Sequence, residues 1–98
     1  MSLFNRPDIN KGAAAAKETE GAILLDVRTP DEYRSGHIPG SINVPLNRVG
    51  SEDFDPDAKI YVYWHSGARA GRACDILSAN GYDAENIGGI TKYKGALE

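Results

Sequence analysis

The sequence predicts an α/β domain built around a mainly parallel sheet. Three observations support this reading. Short apolar runs alternate along the chain with stretches of helical spacing, the order that βαβ units require. The run Ile23-Leu24-Leu25-Asp26-Val27 is continuous rather than alternating, as expected of a strand covered on both faces. The run Lys59-Ile60-Tyr61-Val62-Tyr63-Trp64 is rich in branched and aromatic residues and leads through Ser66-Gly67 into a second helical pattern. Crossovers in such a sheet are right-handed.

In chain order, Asn10 is expected to cap a helix over Lys11 to Thr19, favoured by Ala13 to Ala16 and closed by Gly21. The first strand, Ile23 to Val27, is followed by Thr29-Pro30-Asp31-Glu32, a capping box with proline at the first helical position. That short helix stops at Gly36. His37-Ile38-Pro39-Gly40 reads as a turn, and Ser41 to Val44 as a short strand ended by Pro45. Ser51 to Asp57 is a polar loop. After the strand from Lys59 to Trp64, Arg69 to Asn80 places Ala70, Ala73, Cys74 and Leu77 on one helical face, with Gly81 as its C-terminal glycine. Tyr82 to Ile87 is a last strand, Gly88-Gly89 a turn, and Ile90 to Leu97 a final short helix.

Composition bounds the function. The 98 residues are 41% hydrophobic and 26% charged, the profile of one folded domain rather than a disordered chain. A net charge of −3 argues against a nucleic-acid partner, which needs a basic face. No apolar run approaches the roughly 18 to 20 residues that span a bilayer. The segment Met1 to Pro7 has no apolar signal core. The single cysteine, Cys74, allows no internal disulfide and fits a reducing, cytoplasmic compartment. His37, His65 and Cys74 share no ligand spacing, so no metal and no other cofactor is expected.

Ligands of parallel sheets bind beyond the carboxyl ends of the strands, near a helix N-terminus. Trp64-His65-Ser66-Gly67-Ala68-Arg69 joins the strongest strand to the longest helix there. Gly67 permits a tight curl that turns N–H groups toward one point, and Arg69 adds positive potential. An anion-binding loop is expected from this chemistry.

Leu25-Asp26-Val27-Arg28-Thr29-Pro30-Asp31-Glu32-Tyr33, followed by Gly36-His37-Ile38-Pro39-Gly40-Ser41-Ile42-Asn43, resembles the N-terminal signature of rhodanese-like (sulfurtransferase) domains. Val62-Tyr63-Trp64-His65-Ser66-Gly67-Ala68-Arg69-Ala70 resembles their active-site loop, and Gly81-Tyr82 and Gly88-Gly89 also fit. The resemblance runs from about Ile9 to Tyr93 and implies a three-layer fold with a five-stranded, mainly parallel sheet flanked by helices. It implies a family activity in which a loop cysteine takes a sulfane sulfur from a donor such as thiosulfate and passes it to a thiol or cyanide. The partners so implied are a small sulfur-containing anion and a thiol acceptor. The loop spans six residues, one fewer than in the related dual-specificity phosphatases, which argues against phosphate-ester chemistry.

The resemblance places the family's nucleophilic cysteine at position 64, where this chain has tryptophan. An indole offers only a weak N–H donor, so the thiolate chemistry has no carrier. The expectation is a catalytically inactive domain. The alternatives are an active sulfurtransferase in which Trp64 is a recent or engineered replacement, and a non-catalytic anion- or protein-binding module. By resemblance, Arg69 holds the anionic group, while Asp26 and Arg28 form a structural pair beside the loop. His65 is read as solvent-facing, Ser66 and Gly67 as loop-shaping, and His37 as a turn residue. Cys74 is expected to face the sheet and to be inert.

Overall fold

The computed structural model describes residues 7–66 and 68–98. Four strands, β1 (Ile23–Asp26), β2 (Ile42–Asn43), β3 (Lys59–Trp64) and β4 (Asp83–Gly89), form one sheet in the order β2-β1-β3-β4. Every neighbouring pair is parallel. The helices are α1 (Ile9–Glu18), α2 (Pro30–Ser35) and α3 (Ala68–Ala79), with short 3₁₀ turns at Val49–Ser51 and Ile90–Lys92. The chain leaves β1 toward one edge of the sheet and β3 toward the other. A crevice therefore opens between the carboxyl ends of these two central strands, the usual ligand position in parallel sheets.

The continuous apolar strands bury both faces. Leu25, Val27, Ile60 and Val62 pack with Ala70, Ala73 and Leu77 of α3 and with Val44 and Val49. Leu24, Tyr61, Tyr63 and Ile87 pack on the opposite face with Ile9, Ala13 and Ala16 of α1 and with Ile38. Gly12 lets α1 lie close to β4, because a Cβ there would collide with the Ile87 side chain. The result is three layers, with α3 and α1 on opposite faces.

Four strands are present among the described residues rather than five. Among the described residues, the segments between these four strands form helices, 3₁₀ turns and loops. The helix α1 begins earlier than Asn10 suggests. Asp8 is its cap, accepting hydrogen bonds from the N–H groups of Asn10 (3.0 Å) and Lys11 (3.3 Å). The Asn10 side chain instead donates to Lys92 O at 3.1 Å and accepts from Lys94 N–H at 2.8 Å, tying the C-terminal segment to α1. That segment forms only a 3₁₀ turn at Ile90–Lys92, not a helix to Leu97. Gly88 and Gly89 belong to β4 rather than to a turn, because a bulge in β4 carries the pairing on to Tyr63↔Gly88 and Trp64↔Gly89.

The remaining local signals act as their chemistry dictates. Thr29 Oγ1 accepts from Glu32 N–H and Glu32 Oε1 from Thr29 N–H, closing the capping box of α2. Pro39 and Gly40 occupy the centre of a turn closed by Ser41 N–H to Ile38 O, where Gly40 has φ +87°. The Gly81 N–H bonds Ser78 O and the Tyr82 N–H bonds Leu77 O, ending α3 with φ +90° at Gly81.

Tyr63 locks this turn to the sheet. Its hydroxyl accepts from Ile38 N–H at 3.2 Å and lies 2.9 Å from Ser41 Oγ, which donates to Ile38 O at 2.7 Å. Burial pushes the Tyr63 phenol well above its ordinary pKa, so it stays protonated and available as a donor. Tyr63→Phe should leave the Ile38 N–H unpaired and lower stability by about 1–3 kcal/mol in urea unfolding.

Candidate functional site

Asp26 ends β1 and is fully buried, and Arg28 is nearly so. An acid inside an apolar run needs a partner, and Arg28 supplies it. The Arg28 Nη2 donates to Asp26 Oδ2 at 2.6 Å, and Nε lies 3.0 Å from both carboxylate oxygens. The Arg28 backbone N–H also donates to Asp26 Oδ1, at 2.9 Å. Nη2 reaches on to Gly36 O at 2.7 Å, at the end of α2. Burial alone would lower the guanidinium pKa, but the hydrogen bonds and charge of Asp26 outweigh it and hold the group above its usual value. Asn43 Nδ2 donates to the carbonyls of Asp26 and Arg28, joining β2 to the same point. Asp26→Ala should strand a buried guanidinium and cost about 3–5 kcal/mol, read as a lower urea midpoint.

The loop from Trp64 to Arg69 follows β3. Trp64 is half-buried against the α3 side of the core. His65 and Ser66 are exposed, with the His65 ring edge-on to the indole at 6.1 Å. Gly67 lies outside the described residues, and Ala68 opens α3. Arg69 is exposed, and its guanidinium carbon sits 4.8 Å from the centroid of the Trp64 ring, a cation–π contact. Gly89, paired with Trp64 in the sheet, is required by the loop. A Cβ there would come within 2.5 Å of His65 O and 2.7 Å of Ser66 Cα. The Thr91 N–H donates to His65 O at 3.4 Å from the same side.

A pocket of about 580 Å³ opens between the ends of β1 and β3. Its walls are Val27, Arg28, Thr29 and Glu32 from the β1 side, Pro45, Leu46, Asn47 and Gly50 beyond β2, and Trp64, Arg69, Arg72 and Ile76 from β3 and α3. Glu32 is held below its ordinary pKa, first by the Thr29 N–H and then by the Thr29 hydroxyl, Arg28 and His65, with burial opposing. The pocket brings together Trp64, Arg69 and Arg28. Sequence reasoning missed Arg72, although the spacing Arg69-x-x-Arg72 places both cations on one side of a helix. The Pro45-Leu46-Asn47 wall carried no local chemical signal.

His37 and Cys74 are not among the pocket's walls. His37 stacks on Tyr33 with centroids 3.7 Å apart, and its backbone exchanges two hydrogen bonds with Glu98. Cys74 is half-buried against the α3-side core. Burial, followed by the charges of Asp75 and Glu85, pushes its thiol up to about 11. Alkylation by iodoacetamide should therefore be slow at pH 8 in the folded chain and rise toward pH 11, while the unfolded chain reacts readily. Between about 8.5 and 11 the unfolded thiol loses its proton first, so this group's contribution to stability falls as pH rises. Among the described residues, no group of three or more His, Cys, Asp or Glu could hold a metal ion, and no helix is long and apolar enough to cross a membrane.

Comparison with known proteins gives this geometry its context. The chain is 38% identical over 71 residues to the thiosulfate sulfurtransferase PspE of Escherichia coli K12, a match covering 67% of this chain and 68% of that protein. The crystal structure of a rhodanese-like domain protein from Staphylococcus aureus superposes with a TM-score of 0.83 at 26% identity, covering 94% of each chain. A rhodanese from E. coli, solved with anions, superposes with a TM-score of 0.68 at 33% identity, covering 79% of this chain and 96% of that one. Residues 10–96 match the rhodanese-like domain as a family, and the chain, with its parallel sheet and the pocket at the ends of β1 and β3, belongs to that family.

Proposed function

We propose that this chain is a rhodanese-fold domain that binds an anion beside the loop from Trp64 to Arg69 and does not transfer sulfur. The observation that carries this reading is Trp64 at the head of the loop, the position to which the resemblance assigns the family's sulfur-carrying cysteine. Persulfide chemistry needs a thiolate that attacks the donor's outer sulfur and later releases it to an acceptor. The indole has no such atom. Cys74 is no substitute, since it is absent from the pocket's walls and its thiol is raised to about 11. The positive charge of the site is retained through Arg69 and Arg72. The related E. coli rhodanese solved with anions supports anion capture by this fold. The lone free thiol fits a reducing, cytoplasmic setting.

A second reading has its own observation. By the resemblance, Ser66, Gly67 and Arg69 fit the family loop, as they would in an active sulfurtransferase in which only position 64 had changed. The two readings part at one experiment. The chain as it stands should form no thiocyanate from thiosulfate and cyanide above a heat-denatured control. Robust turnover would overturn the proposal. Trp64→Cys should gain one sulfur atom by intact mass after exposure to thiosulfate if the second reading holds. A repaired loop that stays unmodified would favour the binding module.

A further inference from the structure

We infer that the pocket takes an organic monoanion, an oxyanion head on an apolar body, and that Arg72 is the second cation holding the head. The inference rests on the anion-binding reading above and names its ligand class. The volume is the first argument. About 580 Å³ lies within the roughly 300–1,000 Å³ of small-molecule sites and is far more than an inorganic oxyanion fills.

The walls are the second argument. Val27, Pro45, Leu46, Ile76 and Trp64 offer apolar surface that a bare inorganic anion would leave wet. Charge is the third. Arg28 also lines the pocket, but Asp26 neutralises it in a buried bidentate pair. Glu32 keeps its negative charge, fixed by the Thr29 N–H and hydroxyl. Arg69 and Arg72 set against Glu32 leave one net positive charge in the walls, which suits a monoanion better than a dianion. Arg69 and Arg72 have no carboxylate within ion-pair distance among the described residues, and Arg72 is exposed. Their guanidinium donors therefore remain for an oxyanion.

The test is calorimetric titration of the chain, at fixed ionic strength, with sulfate, methanesulfonate, benzenesulfonate and 2-naphthalenesulfonate. Affinity should rise by about tenfold from methanesulfonate to benzenesulfonate, and further with the second ring. Arg72→Ala should weaken benzenesulfonate by about tenfold and leave the thermal midpoint unchanged, because the side chain is exposed. A flat series overturns the inference, as does a rising series that Arg72→Ala leaves untouched. Sulfate binding with a flat series sinks only this inference. Failure of every anion to bind, or thiocyanate formation by the same protein, sinks the reading beneath it.

Discussion

The buried pair of Asp26 and Arg28 is the constraint on which the pocket side of the fold depends. A carboxylate fully removed from water at the end of β1 would be prohibitive alone. The guanidinium that pairs with it is also out of solvent and must place its donors on fixed acceptors. It does so on Asp26 and on the Gly36 carbonyl, and it lies 5.9 Å from the centroid of the Tyr63 ring. One pair thus joins β1 to the end of α2 and to β3, while Asn43 ties in β2 through the neighbouring carbonyls. The residues that follow, Thr29 and Glu32, enter the pocket at positions this anchor sets. The net worth of such a pair is small, but removing either partner leaves an uncompensated charge. That asymmetry makes it a constraint rather than a mere contact.

The opposite wall is set by the register of β3 against β4. The bulge beyond Val62 brings Gly89, rather than its neighbour, opposite Trp64. With no side chain there, the backbone of His65 and Ser66 settles against β4. The sheet and the Thr91 N–H thereby help to position His65 and Ser66. The aromatic ring at its head can occupy the pocket wall without displacing the strand that carries it.

Much of this was legible in the sequence, for identifiable reasons. The continuous run at Ile23 to Val27, the capping box at Thr29 and the glycine at Gly81 are strong local signals, and local chemistry decides their structure. Asp26 in an apolar run announced a partner, and the resemblance pointed to Arg28 two residues on. Errors arose where long-range contacts overrode local preference. Asn10 is a good cap in isolation, but its side chain is engaged by Lys92 and Lys94, and Asp8 takes the role. Gly88 and Gly89 read as a turn, yet pairing with Tyr63 and Trp64 holds them in a strand. The apolar wall at Pro45 and Leu46 was invisible because only the fold brings it opposite Ile76.

On the proposed reading, the contact between Arg69 and Trp64 bears on whether a loop without a nucleophile still binds. Electrostatic capture and nucleophilic attack are separable, because the first needs donors and potential while the second needs an electron pair on one atom. An indole supplies no such electron pair, whereas Arg69 and Arg72 stand in the pocket walls beside it. The indole does engage Arg69, through a cation–π contact worth about 0.5–1 kcal/mol at an exposed site. A charge-assisted hydrogen bond to an oxyanion contributes about 1.5–3 kcal/mol. An anion bound as proposed need not displace the ring, since the guanidinium plane can lie on the indole while its edge donates. The tryptophan is then a wall of the pocket rather than a plug in it.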